Sequence, residues 1–394
     1  MAAPTVDPSK IQGDIQNVAD GRQAIFEHAK QHGGLLPIGF TNIAFSAAGL
    51  GKGEWKSEFT GGRIHGVILV GGDSAGTIAA KTKEALDILG DTVKEVVRVA
   101  AIFGYRDGIS HPAVEGLDNE DRSEQGFVQP GVFVLGRPGD KFKDERPDWA
   151  VDRSFLAFRY LVQHVPEFDS AVKKQAALVS DPPHNLVELM GARMVGRWKS
   201  GAPLPEATRV DQALALDEAR LNNFDDYGGM DQGVCPFAAH TRKMNPRGDL
   251  DREEIDPHRI LRRGIPFGPE VGSDEKAAGK TKPGRERGLL FASYQSSLDG
   301  DPGSHGGFAF LQKSWANNKN FPINKSVVPG LDPLIGATGA ALRPMSGLVI
   351  GKPKDNSLLD RWVVPMGGEY FFVPSIKTLS AVFAKVRSAQ QSDL

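Results

Sequence analysis

The chain has 394 residues, 40% of them hydrophobic and 24% charged, with a formal net charge of −2. Balanced charge excludes the basic face that nucleic-acid binding uses, no run reaches the roughly 18 apolar residues that a membrane-spanning helix needs, and the one cysteine, Cys235, excludes an internal disulfide and a cysteine-rich zinc centre. The length exceeds one ordinary core and points to two domains. Met1–Pro8 contains no cationic stretch leading into an apolar one, so a leader peptide is expected to be absent or removed.

In chain order, Leu35–Ala47 reads as extended, with Phe40, Ile43 and Phe45 as anchors. Ile64–Val70 is short, apolar and β-branched, which predicts a buried strand; Gly71-Gly72 then turns into a helix over Thr77–Leu89. Glu95–Phe103 is again strand-like. The middle, Phe155–Arg220, reads as helix-rich, with helical apolar spacing over Ala171–Val179 and Asn185–Trp198 and a break at Asp181-Pro182-Pro183. The second half repeats the alternation: a strand over Gly288–Ser296, a helix over Gly306–Trp315, strands over Ser346–Ile350 and Glu369–Val373, and a helix over Ser375–Lys385. Ser273–Arg287 is polar and charged and is expected as an exposed loop. These spacings fit an α+β fold of two units better than one parallel sheet. The division is placed at Asp181, giving domains 1–181 and 182–394.

Four segments carry candidate chemistry. Gly104-Tyr105-Arg106-Asp107-Gly108 follows a strand-like run, so Asp107 is expected at a strand end with glycine freedom on either side to aim its carboxylate. The alternative is a turn aspartate bonded to local amides. Cys235–Arg247 frames one imidazole, His240, between small apolar residues and the cations Arg242, Lys243 and Arg247. An imidazole can hold haem iron axially, and arginines can neutralise haem propionates. A hydrogen-bonded structural histidine is the alternative, and His258, in a polar segment that reads as exposed, competes for the ligand role. Arg262 and Arg263 stand between apolar residues, which is costly unless a guanidinium meets an anion. Gly72-Asp73-Ser74-Ala75-Gly76 matches the nucleophile elbow of a serine esterase, with Ser74 as nucleophile, but the region after it lacks the regular strand–helix alternation of that fold.

Taken in order, seven segments resemble the dye-decolourising peroxidases, the fungal-type members most closely: Ile11–Ile15, Asn42–Ser46, Gly104–Gly108 as the family's GxxDG, Cys235–Arg247, Arg262–Glu270, Gly288–Ser297 and Gly367–Phe372. The resemblance implies two ferredoxin-like α+β domains, antiparallel sheets flanked by helices, with haem b in the C-terminal one. It also implies reduction of hydrogen peroxide and oxidation of bulky dyes and phenols, outside the cell, by a monomer or small homo-oligomer. Carried over by position, His240 matches the proximal ligand, Asp107 and Arg262 the distal carboxylate and arginine, and Leu289 and Phe291 the apolar pair over the haem. Asp332 looks like the carboxylate that bonds the proximal ring, Arg242 and Arg247 like propionate partners, and Trp315, or Tyr294, like a relay carrying oxidising equivalents outward to substrates too large to enter, with Trp315 at the surface. The chain departs from the fungal-type pattern in being short and in an extra loop, Leu298–Gly306. A non-catalytic haem carrier or iron-release protein of the same fold is the rival reading, and the esterase a more distant one.

Overall fold

Residues 154–163, SFLAFRYLVQ, are apolar or aromatic at nearly every position, and they form strand β1 (Ser154–Gln163). A run of this kind does not distinguish helix from strand by periodicity, and the helix-rich reading of the middle fails over this stretch. Leu156 to Tyr160 are buried without a break, the pattern of a strand covered on both faces. The computed structural model describes residues 55–60, 66–71, 74–89, 104–121, 125–179, 185–204, 217–224, 229, 231–299, 306–337, 343–352 and 356–376. The expected elements at Leu35–Ala47 and Glu95–Phe103, the break at Asp181-Pro182-Pro183, the segments Ile11–Ile15 and Asn42–Ser46, and all but the start of Ser375–Lys385 lie outside the described residues.

β1 is the centre of a five-stranded antiparallel sheet. On one side it pairs with β4 (Gly288–Gln295), which in turn carries the short strands β2 (Leu261–Arg262) and β3 (Ile265–Phe267). On the other it pairs with β7 (Val363–Val373), with a register irregularity at Tyr160/Leu161. β5 (Arg343–Ser346) and β6 (Asn356–Leu359) form a separate antiparallel pair. The fold is thus α+β, an antiparallel sheet with flanking helices. The sheet draws β1 from before Asp181 and its partners from after it. β7 approaches closely because it carries Gly367 and Gly368: a Cβ on Gly367 would sit 2.1 Å from the Phe59 ring, and one on Gly368 2.5 Å from the Phe158 carbonyl oxygen.

The helices that bear on the core and the site are α1 (Ala75–Leu89), α2 (Val165–Ala176), α3 (Leu186–Val195), α4 (His240–Met244) and α5 (Ser273–Ala278), with a helical turn Phe308–Phe310 that runs into a π-helix, Leu311–Ala316. α2 and α3 bury Phe168, Val172, Met190 and Met194 against Met345, Leu348 and Trp362. Inside this core Arg193 hydrogen-bonds no carboxylate among the described contacts, and the Asp231 charge acts on it without such a bond. Its guanidinium donates to the carbonyls of Leu348 (3.0 Å), Gly233 (2.6 Å), Val234 (2.7 Å), Gln232 (3.2 Å) and Gly347 (2.5 Å).

Three further expectations change. Residues 66–70 are not a strand: they pair with no strand among the described residues, and Ile68 is exposed. The strand expected at Ser346–Ile350 ends at Ser346, because Gly347 turns with φ 68°. Ser273–Arg287 is exposed at most positions, as expected, but it opens with the helix α5 and buries the two charges of Glu275 and Arg287. Glu275 accepts from the Gly272 N–H at the start of α5 (3.1 Å) and from Lys282 N (3.0 Å), and it takes both oxygens to Arg287 Nη2 at 3.0 and 2.8 Å. Glu275 and Arg287 are almost wholly buried. Burial pushes the Glu275 carboxyl up, but the Lys282 and Gly272 N–H groups and Arg287 outweigh it and hold it at about 2.

A lowered carboxyl pKa contributes stability above the ordinary value of about 4.3 that is lost as pH falls toward the folded value. Glu275→Ala should therefore cost about 3–5 kcal/mol near neutrality, the usual effect of orphaning one member of a buried pair. Its deficit against the unsubstituted chain should shrink as pH drops from 4 to 2, as read by denaturant titration.

Candidate active site

α4 begins at His240, directly after Ala238 and Ala239, both fully buried. The small side chains let the backbone press into the core and fix where the imidazole emerges. Three contacts hold the short helix. Arg242 is bidentate to Asp249 (2.7 and 2.8 Å) and donates to the carbonyls of Cys235 (2.6 Å) and Asp231 (3.0 Å). Lys243, wholly buried, donates to the carbonyls of Asn318 (2.7 Å) and Gly330 (2.8 Å), and burial pulls its pKa down to about 7 against the attraction of Asp332.

His240 Nδ1 lies 2.9 Å from Asp332 Oδ2, and Asp332 is fully buried. Its other oxygen accepts from the N–H groups of Leu334 (2.8 Å) and Ile335 (2.9 Å). Burial alone would raise this carboxyl, but the His240 charge and hydrogen bond and the two amides bring it below the ordinary value. An ionised carboxylate only accepts, so the shared proton belongs to Nδ1, and in the neutral ring the lone pair is then on Nε2.

His240 lines a cavity of about 840 Å³, within the ~300–1,000 Å³ range of ligand pockets. Leu289, Phe291, Phe308 and Leu311 give it an apolar wall, and Asp107, Arg262 and Arg247 also border it. Gly104 and Gly108 both take positive φ, 77° and 78°, which turns the Asp107 loop and lets the Gly108 N–H donate back to Asp107 Oδ1 at 2.7 Å. The same oxygen accepts from Arg262 Nη1 at 2.7 Å, and Arg262 Nη2 donates to Ser110 Oγ at 3.0 Å. Burial raises the Asp107 carboxyl, yet the Arg262 charge, the Gly108 amide, the Arg262 hydrogen bond and His111 together leave it below its ordinary value. Asp107 is thus ionised, neither a simple turn residue nor fully neutralised, since 52% of its side chain stays open.

The sequence-predicted residues are not all gathered at this cavity. His240, Asp107, Arg262, Arg247, Leu289 and Phe291 line it, and Asp332 stands behind His240. Arg242 does not line it: its guanidinium is committed to Asp249 and two carbonyls, so it anchors α4 instead of facing a ligand. His258 is buried, not exposed; it bonds the Gly306 carbonyl at 2.8 Å and stacks on Phe310. Trp315 is no surface residue, at 5% exposure, stacked on Phe321 at 4.9 Å and edge-on to His258 at 5.3 Å. Tyr294 is half-buried in β4 opposite Leu156 and Leu261 and does not line the cavity. Ser74 is exposed at the start of α1, where its Oγ accepts from the Thr77 N–H at 3.1 Å, the work of a helix cap.

Several cavity residues went unnoticed in the sequence. Arg159, buried in β1, lies 4.4 Å from the Tyr370 ring centre and 4.8 Å from that of Phe308, and all three line the cavity. A lone arginine inside the apolar run 155–162 was the available signal. His111 also lines it, four residues beyond Asp107 in the same loop.

Fold and site together define an α+β protein whose apolar cavity is bordered both by one oriented imidazole and by an ionised carboxylate–arginine pair. Residues 49–103 match the family described as DyP dimeric alpha+beta barrel domain. The chain is 39% identical to Peroxidase 2 of Mycetinis scorodonius over 88% of its own length and 71% of that protein's. It is 37% identical to the dye-decolorizing peroxidase AauDyP1 of Auricularia auricula-judae, over 93% and 77%. Among solved structures, an ancestral D-type dye decolorizing peroxidase superposes with a TM-score of 0.76 at 42% identity, covering 87% of this chain and 79% of that one. The decolorizing peroxidase of Auricularia auricula-judae gives 0.75 at 36%, covering 86% and 80%. The chain belongs to the dye-decolorizing peroxidase family, and it is accordingly an enzyme, a peroxidase among the oxidoreductases.

Because Trp315 is enclosed by aromatic rings, Trp315→Phe should lower stability by about 0.5–3 kcal/mol. It should reduce turnover of small phenols and bulky dyes to the same extent. A selective loss on bulky dyes, measured as kcat/KM on one substrate of each kind, would restore the relay reading.

Proposed function

We propose that the chain holds haem b through His240 Nε2 and uses hydrogen peroxide to oxidise bulky aromatic dyes, of the anthraquinone type, and phenols in one-electron steps. One observation carries this reading: a single cavity is lined by a histidine whose Nδ1 is committed to buried Asp332 and by an ionised aspartate paired with arginine. The donor set fits. Among the described residues no three His, Cys, Asp or Glu groups converge on one point, so an iron at His240 must bring its remaining ligands with it, as a porphyrin does. The apolar wall of Leu289 and Phe291 suits the faces of such a ring, and Arg247 suits a propionate.

When bound, the haem supplies the iron at which the peroxide O–O bond is broken and the oxidising equivalents that substrates then reduce. The chain's own residues supply the rest. Asp332 fixes the His240 tautomer and makes the ring a better electron donor. Asp107 accepts a proton from peroxide and returns it to the departing oxygen. Arg262 stabilises the negative charge that develops there and, by holding Asp107 ionised, keeps the acceptor competent in acid. Twenty-one Phe against five Tyr leaves few easily oxidised rings in the chain itself. The work is placed outside the cell, in line with the fungal-type resemblance. The hydrogen bonds of β1 to β4 and β7 support a division between the two ferredoxin-like units ahead of Ser154 in place of one at Asp181. A haem carrier without catalysis is the lesser reading, since it has no use for a carboxylate held ionised by arginine.

Asp107→Asn should retain the haem spectrum and lose about 10²–10⁴-fold in the rate of reaction with peroxide, the usual contribution of a positioned proton acceptor. Arg262→Leu should lose about 10²–10³-fold, the scale of removing one charge-stabilising donor. It should also shift the pH dependence. Without the guanidinium, burial raises the Asp107 carboxyl, so activity should fail at a higher pH on acidification than in the unsubstituted enzyme. Stopped-flow rates between pH 3 and 7 check both; unchanged rates in Asp107→Asn would remove the assignment.

A further inference from the structure

The Gly104–His111 loop meets the two arginines at the end of β2 through three side chains. Asp107 and Ser110 both take hydrogen bonds from Arg262, at 2.7 and 3.0 Å. His111 Nε2 lies 3.4 Å from Arg263 Nη1. Arg263 is otherwise held by β-sheet geometry: its N–H donates to the Ala292 carbonyl at 2.8 Å, and its Nη1 donates to the Arg262 carbonyl at 2.8 Å. All five side chains line the cavity. A guanidinium only donates, so the His111–Arg263 contact requires an unprotonated Nε2.

At 3.4 Å this is a long hydrogen bond, and its importance is its position. The charged groups whose fields reach the His111 ring are Arg262, Arg263 and Asp107, two cations against one anion. Burial and the two guanidiniums, opposed by Asp107, pull the ring down to about 4. A protonated ring would have no acceptor to offer Arg263 and would stand as a third cation beside the Asp107–Arg262 pair.

We propose that His111 is a positioning residue for Asp107: as a neutral acceptor it seats Arg263, and the two neighbouring arginines together hold the Gly104–His111 loop so that the carboxylate keeps its bearing in the cavity. The inference rests on Asp107 being the proton acceptor of the peroxide reaction. Its consequence is directional in pH. The clip is intact above about pH 4 and is lost as pH falls through that value.

The test compares His111→Ala, His111→Gln and Asp107→Asn as holoenzymes, by stopped-flow reaction with hydrogen peroxide from pH 3 to 7 and by crystal structures of the two His111 variants. His111→Ala should slow the reaction on the order of tenfold at pH 5–6, a change of about 1.4 kcal/mol. Its crystal should show the Asp107–Arg262 contact displaced. His111→Gln offers an acceptor that does not titrate; it should recover most of the rate, restore the contact and move the acid limb to lower pH than in the unsubstituted enzyme. Unsubstituted rates in His111→Ala with the contact in place, or an acid limb in His111→Gln coincident with that of the unsubstituted enzyme, would overturn the role of His111. If Asp107→Asn is slow while His111→Ala is not, only His111 is wrongly assigned. If Asp107→Asn reacts normally, the proton-acceptor reading fails and takes this one with it.

Discussion

The structure around the cavity depends on one buried carboxylate. Asp332 is sealed from water, and a sealed charge is tolerable only when its lone pairs are answered. Two backbone amides answer one oxygen and the His240 ring answers the other. That arrangement fixes a tautomer, and it also demands that α4 and the loop 330–335 stay in register to within a hydrogen-bond length. Lys243 meets this demand, because its ammonium joins α4 to the carbonyls of Asn318 and Gly330, next to the loop that carries Asp332. The imidazole is therefore aimed by a frame of buried charges, several of them remote from the cavity.

The other border of the cavity is built on a different principle. Asp107 and Arg262 are partly open, 52% and 31%, and their mutual distance is set by a glycine-hinged loop meeting the end of a two-residue strand. Charge complementarity and backbone conformation hold them, with little packing. The register of β2 on β4 places Arg262 opposite Ser293, and β4 itself supplies Leu289 and Phe291. One strand thus spaces the polar pair from the apolar wall.

How much of this was legible in the sequence follows from which forces leave a local trace. α1, α3 and β4 were readable because apolar spacing and turn residues mark them. β1 was misread because a strand buried on both faces loses its alternation and imitates a buried helix segment. α5 was hidden by its own charges: Ser273–Arg287 reads as solvated and mostly is, and no local signal marks that Glu275 and Arg287 pair and are buried within it. At the site, His240, Asp107 and Arg262 stood out as candidates by residue type and context, and family resemblance supplied their roles. Arg242 and Trp315 carried the right chemistry, but their burial and partners, which no short segment encodes, redirect them. Arg159 and Tyr370 reach the cavity only because β1 and β7 lie side by side.

Arg193 carries a consequence of its own. Its planar fork gathers five carbonyl oxygens from two chain segments, 232–234 and 347–348, and the first of these leads directly into the residues before His240. Carbonyl dipoles supply all of its printed hydrogen bonds, with the Asp231 charge acting beside them, so its tolerance of exchange is narrow even for residues of equal charge. A lysine brings three donors to one point and cannot span the two segments. The position thus tethers the approach to His240 from within the core.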